Sequence, residues 1–209
     1  MTTTAVATPH GEGRSHTHRA RSPVATLLLS HGAGRGTDTA DLEALAEHLP
    51  RQGITVVLFD QPWVVAGRKV ASPPPTLDDG LRAAASRLRR THPLVVGGRS
   101  AGARSAARCA DELGAAGVLA LAFPLHPPGR PEKSRLEELQ RPTCPTLVIQ
   151  GERDPFGRPE EFPAETEMSV VPGGDHSLKV PKSGDLTQDE ALGLVVEAAL
   201  EWIVRQVAR

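Results

Sequence analysis

Gly98-Arg99-Ser100-Ala101-Gly102 reads G-x-S-x-G, and that spacing has a mechanical meaning. A serine hydroxyl is a weak nucleophile until a base takes its proton. A sharp turn between a strand and a helix pushes such a hydroxyl out of a sheet edge, and flanking glycines tolerate the crowding of the turn. Here the apolar run Leu94 to Gly98 precedes the serine, and an Ala-rich stretch from Ala101 to about Leu113 follows it. The pattern predicts a nucleophile at Ser100.

A serine of this kind needs a base, and the base needs an orienting acid. Both belong on loops leaving later strands, in the order serine, acid, histidine. Asp154, in Gly151-Glu152-Arg153-Asp154-Pro155, lies just beyond the run Thr146 to Gln150. His176, in Gly173-Gly174-Asp175-His176-Ser177, follows the short run ending near Val171. The three residues are expected to meet at one rim of a sheet. Their competitors fit less well. Glu152 belongs to the turn leaving its strand, and Asp175 cannot easily reach round to its neighbour's ring. His48 and His92 stand at helix ends, while His31 and His126 are near the rim but precede Asp154.

A developing oxyanion needs donors. The backbone N–H of Ala101 and of Ala33, in His31-Gly32-Ala33-Gly34, are the expected pair. The glycine-rich run lacks the Lys-Ser/Thr ending of a phosphate loop and does not match G-x-G-x-x-G. His10, His16 and His18 have no Cys or carboxylate pair to complete a metal site, so neither metal nor organic cofactor is expected.

The elements that must position these residues alternate along the chain. Val24 to Ser30 and Ile54 to Phe59 read as strands, as do Leu94 to Gly98, Val118 to Phe123, Thr146 to Gln150 and Met168 to Val171. Between them, Leu42, Leu45 and Leu49 recur at helical spacing, and Thr76 is placed to cap a helix carrying Leu81, Ala84, Ala85 and Leu88. Thr187 and Glu190 form a capping box before Leu192, Val195, Val196, Ala199, Trp202 and Ile203. Strands apolar on both faces point to a mostly parallel sheet covered by helices on each side. Residues 1–22 show neither periodicity and read as a flexible tail before one α/β domain over 23–209.

Charge and composition exclude other classes. Twenty-four basic residues against 25 acidic ones give a net charge of −1, without the basic footprint of a nucleic-acid binder. No apolar run approaches the ~20 residues that cross a bilayer, and residues 1–22 lack the apolar core of a secretory signal. Cys109 and Cys144 read as reduced thiols of a cytoplasmic protein.

Four stretches carry a family resemblance. They are Leu29-Ser30-His31-Gly32-Ala33-Gly34, Pro62-Trp63 followed by Gly67-Arg68-Lys69, and Gly98-Arg99-Ser100-Ala101-Gly102-Ala103-Arg104. The longest runs from Phe123-Pro124-Leu125-His126-Pro127-Pro128-Gly129 through Gln150-Gly151-Glu152-Arg153-Asp154-Pro155-Phe156-Gly157. On these the chain resembles the α/β-hydrolases over residues 24–207, within them the small dienelactone-hydrolase-related branch that includes subunit 3 of the NSL chromatin complex. The resemblance implies that Ser100, Asp154 and His176 act as nucleophile, acid and base on an ester, thioester or related small acyl substrate. It also implies about six strands, because the first apolar run aligns with the third strand of larger members. Dienelactone hydrolases proper use cysteine where this chain has Ser100, so their substrate is not carried over. The Pro-rich segment 124–145 is too short for a cap domain, leaving a fairly open site. Arg68 and Arg99 either meet an anionic substrate or, more simply, tie loops together. The rival expectation is a binding or scaffold protein that keeps the fold without the chemistry.

Overall fold

The structure is a computed structural model that describes residues 1–89 and 91–208. Its centre is β3 (Ala25–Ser30), flanked in parallel by β4 (Ile54–Asp60) and β5 (Leu94–Arg99). β6 (Gly117–Leu121), β7 (Thr146–Gly151) and β8 (Met168–Val171) continue the parallel sheet on the β5 side. Side chains alternate across a strand, and here both sets are apolar. Leu27, Leu29, Val56 and Leu58 face one way, into a core with α1 (Ala40–His48) and the long α6 (Gln188–Val207). Leu28, Val57, Phe59 and Val96 face the other, against α3 (Pro74–Ser86) and α4 (Ala101–Cys109). Trp202 of α6 closes the first core over Gly117, where an added Cβ would stand 2.6 Å from the indole.

Residues 1–22 are not a flexible tail. β1 (Thr2–Thr8) and β2 (Gly11–His18) form an antiparallel hairpin, and β2 pairs antiparallel with β4. The described residues therefore form a sheet of eight strands instead of about six, in the order β1-β2-β4-β3-β5-β6-β7-β8. The physical reason is that the hairpin buries little that is large. Val6 enters the core, but the buried positions of β2 are Gly13 and Ser15, so the strand alternation carries almost no hydrophobic contrast. Glycine at 13 is a steric requirement, because a Cβ there would lie 2.6 Å from the Phe59 ring and 3.0 Å from the Asp60 carbonyl. His16 reaches Asp60 at 3.1 Å and His10 reaches Asp79 at 2.8 Å, so two of the three N-terminal histidines pin the hairpin down.

Helix α3 also starts earlier than expected. It opens at Pro74 and Pro75 instead of being capped by Thr76, since proline's fixed φ and missing N–H suit the first helical turn. Thr187 and Glu190 do form the capping box of α6. Between β6 and β7 the only described helix is the single turn α5 (Leu136–Leu139). It is fastened to α4 by paired bonds from Arg104 to Glu138 (2.9 and 2.6 Å) and by Arg108, which also grips the buried Asp78. Among the described residues no lid covers the strand ends.

Two glycine substitutions test this packing with opposite signs. Gly13→Val should destabilise by ~1–3 kcal/mol through overpacking against Phe59. Gly193→Ala, at an exposed position of α6 with nothing within 4 Å of the new Cβ, should stabilise by ~0.5–1 kcal/mol. Urea unfolding of both against the parent measures the difference.

Candidate active site

β5 ends at Arg99 and α4 starts at Ala101, so the chain reverses within one residue. Ser100 takes that turn with φ 52° and ψ −110°, a strained conformation for a non-glycine residue. Its amide donates to the Leu121 carbonyl at 2.9 Å, and its carbonyl receives the Arg104 amide at 3.2 Å. The strain is held by close approach on the far side. A Cβ at Gly98 or at Gly102 would lie 2.4 Å from the Ser30 carbonyl oxygen, so only glycine fits at either flank. The loop after β3 packs on the elbow through Gly32, whose added Cβ would sit 3.4 Å from that of Ser100. Ala33 is the next residue of that loop, and Ala101 is the first residue of α4, where helical N–H groups have no partner within the helix.

The structure brings the three predicted site residues together. Ser100 Oγ is 2.9 Å from His176 Nε2, and His176 Nδ1 is 2.8 Å from Asp154 Oδ2. Asp154 is fully buried and follows β7 in a tight turn, its Oδ1 accepting the Phe156 amide at 2.8 Å. Oδ2 also accepts from Gln150 Nε2 at 2.9 Å. A carboxylate only accepts, so Nδ1 carries the imidazole proton and Nε2 presents a lone pair to the serine hydroxyl. The competitors are occupied elsewhere. Glu152 accepts the Gly173 amide, and Asp175 caps the amides of Ser177 and Lys179. His31 donates from Nδ1 to the Gly32 carbonyl and accepts the Gln61 amide at Nε2. Burial pushes its pKa down, which suits a neutral structural ring.

The family of the alpha/beta hydrolase domain matches residues 23–204. The chain belongs to that family. Solved α/β hydrolases share its fold. A serine hydrolase without a lid from Xanthomonas campestris is 21% identical with a TM-score of 0.74, over 96% of this chain and 94% of that one. Est1E from Butyrivibrio proteoclasticus is 15% identical with a TM-score of 0.75 over 100% of both chains. A dienelactone hydrolase from Anabaena variabilis is 19% identical with a TM-score of 0.74, over 98% and 96%. No curated protein is significantly similar to the chain.

Three further residues of this α/β hydrolase brace the Ser100, His176 and Asp154 cluster. Gln150, besides Asp154, reaches the Phe123 and Gly157 carbonyls at 3.3 and 2.8 Å. Phe156 stacks on His176 with ring centroids 4.1 Å apart and planes at 26°. Arg99, the residue before the serine in the elbow, donates to the His176 carbonyl at 2.7 Å. Arg68, the other arginine singled out, is exposed. A cavity of about 850 Å³ between the hairpin and α1 is lined by His16, Glu43, Leu58 and Asp60; no triad residue borders it. Among the described residues no cluster of His, Cys, Asp and Glu suits a metal ion, and no helix is long and apolar enough to cross a membrane.

The segment after β6 is held by a titratable contact. Buried His126 has Nδ1 3.0 Å from the Pro127 carbonyl and Nε2 2.9 Å from Glu161, while its amide donates to Phe156 O at 2.9 Å. Both ring partners are acceptors, so the imidazolium satisfies them together. The Pro127 carbonyl and then the Glu161 carboxylate raise its pKa, and the Arg158 amide and then His126 lower that of Glu161. A histidine pKa raised by folding contributes fully below the unfolded value of ~6.5 and is lost as pH rises through the folded value. Amide-exchange protection of residues 124–130, corrected for intrinsic rates, should therefore fall as pH rises from ~6.5, and His126→Gln should flatten that dependence.

Proposed function

We propose that this chain is a serine hydrolase that cleaves an ester, thioester or related small acyl substrate through an acyl-enzyme at Ser100. The observation that carries the reading is the relay of two hydrogen bonds, 2.9 Å from Ser100 to His176 and 2.8 Å from His176 to Asp154. As Ser100 Oγ bonds to the substrate carbonyl carbon, its proton passes to His176 Nε2 and the carbonyl oxygen takes the negative charge. Asp154 keeps the ring in the productive tautomer and offsets the imidazolium charge. The N–H groups of Ala33 and Ala101 receive the oxyanion, one such donor being worth ~2.7–4 kcal/mol in the transition state. Collapse breaks the bond to the leaving group, which departs with the proton from Nε2. Water then repeats the sequence, and Ser100 is regenerated. No step calls for a metal or an organic cofactor.

Substrate size follows from the absence of a lid over the strand ends among the described residues. Such a rim excludes little water and encloses no long chain, which suits a small acyl compound with few contacts beyond the carbonyl. Est1E has been observed with ferulic acid bound, and the Anabaena neighbour is called a dienelactone hydrolase. Those names fit the class proposed here. Within the family we assign the chain to the dienelactone-hydrolase-related branch that includes subunit 3 of the NSL chromatin complex, on the four stretches quoted above. Free thiols at Cys109 and Cys144 fit a reducing, cytoplasmic compartment.

Steady-state hydrolysis of p-nitrophenyl acetate tests the roles. Ser100→Ala should lower kcat by about 10⁶-fold and Asp154→Asn by about 10⁴-fold, both with little change in KM. Turnover unaffected by Ser100→Ala would overturn the reading.

A further inference from the structure

The residue preceding the nucleophile does work that the relay alone does not explain. Arg99 is covalently adjacent to Ser100, yet its side chain reaches the base loop. There Nη2 donates to the His176 carbonyl at 2.7 Å. Its Nε lies 3.2 Å from Oδ2 of Asp41, in the first turn of α1, whose side chain is only 2% exposed. A buried carboxylate is costly unless a cation answers it, so Asp41 fixes where the guanidinium must sit. Helix α1 is in turn the element that follows the oxyanion loop. One planar group therefore touches the base loop and the helix behind the oxyanion donors, while its backbone carries the nucleophile.

We propose that Arg99 is a positioning residue that sets the distance between Ser100 and His176 by clamping the His176 carbonyl against Asp41. The proposal rests on the hydrolase reading above and extends it. The relay is short enough for proton transfer only if two loops remote in sequence stay in register. The His176 loop is otherwise held by its own turn, by the turn after β7 (Arg153 amide on Gly174 O, Glu152 on the Gly173 amide, Asp154 on the ring) and by Gln188 of α6. None of those bonds reaches the elbow. Arg99 supplies that link. Asp41 has a second effect. A lone guanidinium beside His176 would oppose the imidazolium formed during proton transfer, and the paired carboxylate offsets that charge. Lysine cannot substitute, because a compact ammonium does not donate to the His176 carbonyl while also setting a second face of its charge against Asp41, where the guanidinium Nε makes an ion pair without hydrogen-bond geometry.

The site also offers a direct probe. A pocket of about 370 Å³ lined by Arg99, Asp41, Thr39, Ser177 and Lys179 borders the clamp, so a free guanidinium ion has a route to the space left by a truncated side chain. Hydrolysis of p-nitrophenyl acetate is measured for the parent, Ser100→Ala, Arg99→Ala, Arg99→Lys and the double variant Arg99→Met/Asp41→Asn. A displacement near 1 Å costs about 100-fold in rate. Arg99→Ala should therefore lose about that much in kcat with KM nearly unchanged, and Arg99→Lys should recover little. Millimolar guanidinium chloride, far below denaturing levels, should restore much of the Arg99→Ala rate, while equal potassium chloride should not.

The double variant removes both charges together, so no buried carboxylate is stranded, and it should keep the fold. It should still lose kcat. A folded double variant with parental kcat, or an Arg99→Ala enzyme with parental kcat, would overturn the clamp while leaving the hydrolase reading intact. An Arg99→Ala loss that guanidinium does not relieve in folded protein would also overturn it. A parent whose turnover matches that of Ser100→Ala would remove the hydrolase reading, and the clamp with it.

Discussion

A carboxylate with no exposed surface has to be satisfied from every side, and satisfying Asp154 organises the rim of this protein. Its two oxygens take the Phe156 amide, the Gln150 amide and the His176 ring. An unpaired charge at that depth would cost far more than any one of these bonds returns. The imidazole is thus required by the buried acid as much as by the chemistry. Once Nδ1 is committed to Asp154, the tautomer is decided and Nε2 can only accept. The serine hydroxyl stands where that lone pair points. Tautomer, ring orientation and nucleophile contact all follow from burying one side chain at the end of β7.

The rest of the fold supplies rigid places from which those groups project. The strained turn at Ser100 persists because Gly98 and Gly102 let the Ser30 carbonyl approach closer than any side chain would allow. Parallel strands send their carboxyl ends to a common edge, so loops after β3, β5, β7 and β8 meet without long excursions. Loop-borne function on a rigid sheet is a general arrangement. Here the sheet is apolar on both faces, and its two cores are filled from helices that precede or follow those same loops. Strain at one residue is therefore opposed by packing throughout the domain.

How much of this was legible in the sequence differed by kind of signal. Ser100, Asp154 and His176 stood out because each is a distinctive residue at a fixed position relative to an apolar run. The parallel core was legible in β-branched and leucine-rich runs, and α6 in its capping box. The hairpin was not, because Gly13 and Ser15 occupy its buried positions and blur the alternation. Helix α3 began two residues before Thr76 because proline, a breaker further inside a helix, fits the first helical turn. The partners of Arg99, Gln150 and Phe156 were hidden for a different reason, although Arg99 was expected to tie loops together. They are set by tertiary contact, as in the bond from Arg99 to a carbonyl 77 residues away, and no local periodicity reports such a pairing. Gln150 and Phe156 do fall in the longest stretch of the family resemblance, on either side of the acid.

The central claim is that the hydroxyl of Ser100 is uniquely activated by its neighbours. Intact-mass analysis after brief exposure to a fluorophosphonate, followed by peptide mapping, measures this directly. The account requires one adduct per chain, on the peptide containing Ser100, and none on the Ser100→Ala protein. An unlabelled native chain, or labelling that persists when Ser100 is replaced, would contradict it.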